Sequence, residues 1–222
     1  MHLIEEPLAA AIGADLPIAD PVASTVLDIG GGTTEIAVIS LGSMVVWRSV
    51  RIGGYEMDDA LVSHVKREHA LEIGEGRAEQ LKIEIGSAAE VAGGEAEVNG
   101  RDLHGGGLRT ATVTASEVHE ALEATVGQII DAVRETLEET PPELSADIGE
   151  RGIVLAGGGV LLDGFPRRLR AETGLPVELV EEPLTCVARG AGRCLDEFGA
   201  IAKAESRGRH GGTRRLPSSW RR

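Results

Sequence analysis

Two runs of three glycines, Gly30-Gly31-Gly32 and Gly157-Gly158-Gly159, each follow a short apolar segment, and together they constrain this chain more than any other feature. The first run follows Ser24–Ile29 (STVLDI) and leads at once into Thr34–Ser40 (TEIAVIS), so it must turn one strand back on another. Three residues without Cβ let backbone amides converge, and converging N–H dipoles hold an anion such as a phosphate without fixing a side chain. Asp28, at the end of the strand, cannot sit bare beside a phosphate, so its useful role is to hold Mg2+ through water. Thr33 and Thr34 add hydroxyl donors. The plain alternative is a Gly-rich hairpin with a capping Asp. The second run follows Ile153–Ala156 and opens a helix, whose N-terminus favours negative or polar ligand groups. A tight strand-to-helix connection would also explain those glycines. Two such turns at strand ends suggest two faces of one cleft.

The remaining elements follow from periodicity. The opening IEEPLAAAIGADLP reads as a short Ala-rich helix with Pro7 in its first turn and Gly13 at its end. A third strand, Met44–Ile52, completes an antiparallel meander with Ser24–Ile29 and Thr34–Ser40. Met57, Leu61, Val65 and, less regularly, Leu71 mark a helix after Gly53-Gly54, and a second helix covers about 75–85. Residues 86–113 read as a loop and a strand pair around Asn99-Gly100 and Gly105–Gly107. Thr114-Ala-Ser-Glu117 has capping-box spacing, with Ser116 as a competing cap, before a long helix carrying Val118, Leu122, Val126, Ile129, Val133 and Leu137. Pro141-Pro142 stops it. The strand Ile153–Ala156, a helix started or broken by Pro166, the strand Val177–Val180 and a final helix from Leu184 to Phe198 complete an α/β fold.

Other candidate residues carry less on their own. Glu5 and Glu6 stand at the start of the first helix, where acids favour the helix dipole; the chemical alternative is a carboxylate that orders a water for attack on a terminal phosphate. Glu79 and Lys82 lie three apart on a helix, the spacing of a surface ion pair. The six histidines show no metal spacing. Cys186 and Cys194 would point apart on a helix and sit too far apart to bridge, as expected of thiols in a reducing cytoplasm.

With aromatics at 2%, the core has to be aliphatic. No stretch approaches the roughly 18 consecutive apolar residues of a membrane span, and Met1 leads into Glu5 and Glu6 rather than into a basic and apolar leader. The net charge of −14 is uneven: after position 202 there are seven basic residues and one acid, and the first 202 residues hold 15 basic against 35 acidic. Such an acidic body does not attract nucleic acid. The Gly-, Ser- and Arg-rich end is expected to be disordered, either a solvated extension or a weak anchor to anionic lipid or an acidic neighbouring subunit.

EEPLAAAIG, DIGGGTTEIAVISLG, RIGGYEMDDAL, AEQLKIEIGSA, TPPELSADI, AGGGVLLDGF and EEPLTCVARGAG, in this order from Leu3 to Leu195, resemble the MreB/Mbl family of bacterial actins. DIGGGT alone would fit the whole superfamily of actins, heat-shock chaperones and sugar kinases; the later segments are far more specific. The resemblance implies an actin-like ATPase fold of two ribonuclease-H-like lobes closing on ATP and Mg2+. It implies that Gly30, Gly31, Gly32, Thr33 and Thr34 form the second phosphate loop, with Asp28 on the magnesium side. Glu6 matches the water-activating glutamate, with Glu5 as its neighbour and substitute. Glu79 and Lys82 match contacts to ribose and adenine, and Gly157, Gly158 and Gly159 the turn against the nucleoside.

By the same resemblance, residues 1–23 end the first lobe, 24–182 form the second nucleotide-binding lobe with a small subdomain at about 70–115, 183–200 form a helix packing on the first lobe, and 201–222 are a basic tail. The family's opening segment, with its first phosphate hairpin and membrane anchors, has no counterpart here, so Met1 is expected to mark a late start or a truncation. The apolar faces of the first and last helices are therefore expected to be left in water. The implied function is an ATP-binding filament protein directing cell shape and cell-wall synthesis. Its partners would be further copies of itself, the wall-elongation machinery and the inner membrane surface; its place the cytoplasm, membrane-associated. Two alternatives stand beside it. One is an actin-fold enzyme or chaperone, for which no sugar base or peptide-binding domain is found. The other is a non-catalytic lobe acting as an interaction or filament-capping module.

Overall fold

The computed structural model describes residues 3–89 and 93–195. The expected basic end, 201–222, and the last residues of the expected final helix lie outside the described residues. Among the described residues the elements run in the order α1 (Glu6–Gly13), β1 (Ser24–Ile29), β2 (Thr34–Ser40), β3 (Ser43–Val50), α2 (Gly54–His69), β4 (Leu71–Glu72), α3 (Glu75–Ile85), β5 (Glu95–Asp102), β6 (Leu108–Thr114), α4 (Ala115–Glu138), α5 (Pro142–Arg151), β7 (Ile153–Ala156), α6 (Phe165–Thr173) and β8 (Val177–Leu179). A further helical run, α7, covers 186–195. No helix among the described residues is long and apolar enough to cross a membrane.

The main sheet has the order β3-β2-β1-β7-β8. β1, β2 and β3 form the antiparallel meander, and β7 then joins β1 in parallel, with Asp28 opposite Ala156. That single crossover matters for function, because it sets both glycine runs at the same end of adjacent strands. Side chains of β1 alternate between two cores. Leu27 and Ile29 face the larger one, with Met57, Leu61 and Val65 of α2 and Val118, Leu122, Val126 and Ile129 of α4. Val26, with Ala37 and Ile39, faces the smaller one, filled by Ala10 and Ala11 of α1 and Cys186 of α7. A second sheet, β4-β5-β6, shares the larger core through Leu71, Val98 and Val113.

The capping box before α4 forms at Thr114 rather than at Ser116: Thr114 N–H donates to Glu117 at 2.8 Å and Glu117 N–H donates to the Thr114 hydroxyl at 3.3 Å. Several expectations are corrected. Leu71 does not continue α2, because Ala70 turns left-handed (φ 47°) and releases Leu71 into β4. Asn99-Gly100 lies inside β5, not in a turn; a Cβ at Gly100 would stand 2.4 Å from the Glu72 carbonyl, so the glycine lets β4 approach. Pro142 starts the helix α5 as well as ending α4, since its fixed φ and missing N–H suit a first turn. Lastly, the apolar side of α1 is not left in water. Ala9, Ala10 and Ala11 are buried on β1 and β2, and α7 crosses α1 so closely that a Cβ at Gly190 would lie 1.8 Å from the Ala9 carbonyl. Arg193 of α7 also donates to the Ile12 carbonyl and pairs with Asp15, each at 2.6 Å. Leu184 stays 74% exposed, in a turn before α7 rather than inside a helix.

Candidate functional site

The hairpin between β1 and β2 is closed by Gly30 N–H donating to the Thr33 carbonyl at 2.8 Å. Its tip is held by the start of α2: Gly54 N–H donates to the Gly30 carbonyl (3.0 Å) and Tyr55 N–H to the Gly31 carbonyl (2.7 Å). The helix start spends its first donors on the loop, which fixes the direction of the loop carbonyls. The amides of Gly31 and Gly32 find no acceptor among the described residues. A Cβ at Gly31 would lie 2.9 Å from the Tyr55 ring, and one at Gly53 would lie 2.6 Å from the Gly30 carbonyl. Glycine is thus required at Gly53, where backbone approaches, whereas at Gly31 the exposed Tyr55 ring could swing aside.

Gly157–Gly159 sits beside this hairpin. A Cβ at Gly157 (φ 84°) would stand 2.2 Å from Asp28 Oδ1, and one at Gly159 would stand 2.2 Å from Ile29 Cγ2. Both glycines are needed for packing on β1 whether or not a ligand binds. Gly157 N–H is already used by the Pro183 carbonyl (3.0 Å).

Asp28 lies between the two turns, 4% exposed, and its Oδ2 is buried with no hydrogen-bond partner. Burial pushes its carboxyl up to about 6, and the charges of Glu6 and Glu35 act in the same direction. Glu35 is directly opposite it on β2, with one carboxylate oxygen likewise buried and unpartnered. Burial first, and then Glu6, raise Glu35, against a hydrogen bond donated by Ser49 at 3.3 Å. Glu6 therefore stands near enough to act on both carboxyls; Glu5, the residue preceding α1, shows no such effect.

Two expected site residues behave otherwise. Thr34 is fully buried, and its hydroxyl donates to the Ile52 carbonyl at 2.7 Å, so it ties the hairpin to the segment after β3 and does not offer its proton to a ligand. Lys82 does not pair with Glu79. Its Nζ lies 2.8 Å from Asp58 of α2 and donates to the Gly54 carbonyl at 3.1 Å, which brings it to the hairpin, while Glu79 is exposed one turn earlier on α3. Asp58 is 6% exposed; burial raises its carboxyl, and Lys82 counters that. A cavity of about 690 Å³ lined by Arg151, Arg170 and Pro176 lies at the opposite end of β7 and β8, away from all these residues.

Sequence reasoning named Asp28 and the glycines but missed Glu35 and Asp58. Glu35 was within reach of simple arithmetic: a turn closing Gly30 on Thr33 sets residue 28 against residue 35.

A meander continued by parallel strands, with Gly turns at one end and a helix crossing on the far face, is an arrangement that can be compared with known proteins. The family model described as MreB/Mbl protein matches residues 1–203. The chain belongs to the MreB/Mbl family. It is 53% identical over 199 residues to the cell shape-determining protein MreB of Escherichia coli K12, covering 88% of this chain and 57% of that protein. The MreB/Mbl chain described here thus spans little more than half the length of that relative. Its structure is similar to MreB5 of Spiroplasma citri bound to ADP, with TM-score 0.86, 33% identity, and coverage of 90% of this chain and 61% of that one. It is also similar to the MamK double helical filament, with TM-score 0.70, 26% identity, and coverage of 86% and 58%. The fold is actin-like, as expected from the sequence.

Proposed function

We propose that this chain is the second nucleotide-binding lobe of a bacterial actin-like filament protein that binds Mg-ATP and directs cell shape and cell-wall synthesis. The observation that carries the reading is Asp28: a buried carboxylate with an unpartnered oxygen, set between two glycine turns at one end of adjacent parallel strands. The residues fit the group. The Gly31 and Gly32 amides offer donors to phosphate oxygens, with the Thr33 hydroxyl beside them. Asp28 would hold Mg2+ through water, and the cation would neutralise phosphate charge. Glu6, with Glu5 next to it, would orient a water toward the terminal phosphate. Glu79 and Lys82 would meet the ribose and base, with Gly158 and its neighbours flanking the nucleoside.

The ADP complex of MreB5 supports nucleotide binding, and the MamK filament supports self-association. The wall-elongation machinery, the cytoplasmic face of the inner membrane and ATP hydrolysis belong to this reading through the family alone. The proposed division has 1–23 as the end of a first lobe, 24–182 as the second lobe and 183–200 as a helix packing on the first. Calorimetric titration of the chain with Mg-ATP tests it. Binding weaker than micromolar is expected, because one lobe offers half of a phosphate clamp, and Asp28→Asn should weaken it further. Absence of binding at millimolar nucleotide would overturn the reading.

A further inference from the structure

Asp28 and Glu35 face each other directly across β1 and β2, and Ser49 follows on β3, so three polar side chains form a row on the α1 side of the sheet. Like charges directly opposed on paired strands destabilise the sheet unless a positive charge stands with them. Among the described residues no cationic side chain forms an ion pair with either carboxylate or lowers either one. Among the described residues the group that acts on both is Glu6, another acid. The Ser49 hydroxyl holds Glu35 Oε1, while Glu35 Oε2 and Asp28 Oδ2 remain buried and unpartnered. The geometry therefore leaves two acceptor atoms, on facing strands, with nothing among the described residues to answer them.

We propose that Glu35 is a second carboxylate of the cation site, holding the water shell of a divalent cation jointly with Asp28. This rests on the metal part of the reading above. No three metal-ligating side chains converge among the described residues, so a dehydrated ion gripped by direct bonds does not fit. A hydrated one does: Mg2+ gives up its waters reluctantly, and bound waters supply the donors that the two oxygens lack. Ser49 acts as a positioning residue by fixing the Glu35 carboxylate plane.

The test is a titration of the full chain with Mn2+ as probe, following free Mn2+ by electron paramagnetic resonance, with ADP binding measured separately by calorimetry. Glu35→Gln is expected to weaken Mn2+ binding about tenfold, the scale of lost outer-shell partners, and to raise the melting temperature without metal, since a like-charge contact is gone. A merely structural role would lower both. Ser49→Ala, which leaves both carboxylates in place, should weaken Mn2+ about twofold to threefold through the loosened carboxylate. If Asp28→Asn abolishes Mn2+ binding while Glu35→Gln leaves it unchanged, the inference is overturned and Asp28 alone holds the ion. Absence of Mn2+ binding by the wild-type chain would overturn it too, with the ADP titration reporting independently on the nucleotide reading.

Discussion

Asp28 and Asp58 are buried to nearly the same degree, 4% and 6% exposed, and meet opposite electrical surroundings. Asp58 faces Lys82 at 2.8 Å, and that lysine also donates to the Gly54 carbonyl, so charge, donor and helix end answer one another inside the chain. Asp28 has Glu6 and Glu35 as its charged neighbours and an oxygen with no partner. Burial raises both carboxyls, and each keeps a buried oxygen without a hydrogen bond, but only Asp58 has a cation beside it that offsets part of the cost. The difference separates a carboxylate with a cation of the chain beside it from one that only the proposed cation would answer. A buried acid answered by a lysine needs no ligand to explain it.

The largest test of the contrast is to break the answered pair. Lys82→Met leaves Asp58 buried without its partner and should cost about 3 kcal/mol, the low end for breaking a buried pair because Lys82 keeps some exposure. Urea denaturation reads this directly. Asp58→Asn in the same background should return much of the loss, and a double variant no better than the single one would show that Lys82 matters for packing, not charge.

Asp28→Asn should do the reverse and stabilise the metal-free chain by about 3 kcal/mol at pH 7, from a carboxyl pushed up to about 6. The sign follows from linkage. The folded state binds its proton more tightly than the unfolded chain, so the native form loses stability as pH rises from about 4 through about 6. Other acids, such as Asp15 and Glu123, are held low by arginines and push the profile the opposite way, so the informative quantity is variant minus wild type. That difference should be near zero at pH 4 and fully developed by pH 7. A difference independent of pH would mean that Asp28 is ionised at no greater cost than in the unfolded chain.

Much of this was legible in the sequence. Alternation and glycine placement marked β1, β2, β7 and the long α4, because each has a strong period and a sharp boundary. β4 was not legible, since two residues carry no period, and neither was α5, where paired prolines read as a stop. At the site, Asp28 and the glycine runs stood out as a contiguous motif. Lys82 was named beside Glu79, but its pairing with Asp58 was not legible, because their meeting depends on the packing of α2 on α3. Thr34 was misread as a ligand donor for a related reason: the motif shows a hydroxyl, and only the segment after β3 shows that Ile52 takes it. The burial of α1 was also hidden, since an Ala-rich face does not say which sheet it will meet.

The smallest expected effect on stability belongs to Glu79, and it separates the two lessons of the Lys82 contact. Glu79 is exposed on α3, one turn before Lys82, and adds to the charge that opposes ionisation of Asp58. Removing an exposed carboxylate that holds no partner should move stability by less than about 0.5 kcal/mol, and the loss of its repulsion should, if anything, favour the Asp58–Lys82 pair. Its proposed contact with the nucleoside predicts a separate outcome. Glu79→Ala should weaken ADP binding several-fold, on the scale of about 1 kcal/mol for one hydrogen bond at a solvent-exposed edge, with the melting temperature unchanged. Lys82→Met should lower both. If Glu79→Ala leaves ADP binding untouched, α3 acts on the site only through Lys82 and its hold on Gly54, and the nucleoside contact passes to other residues.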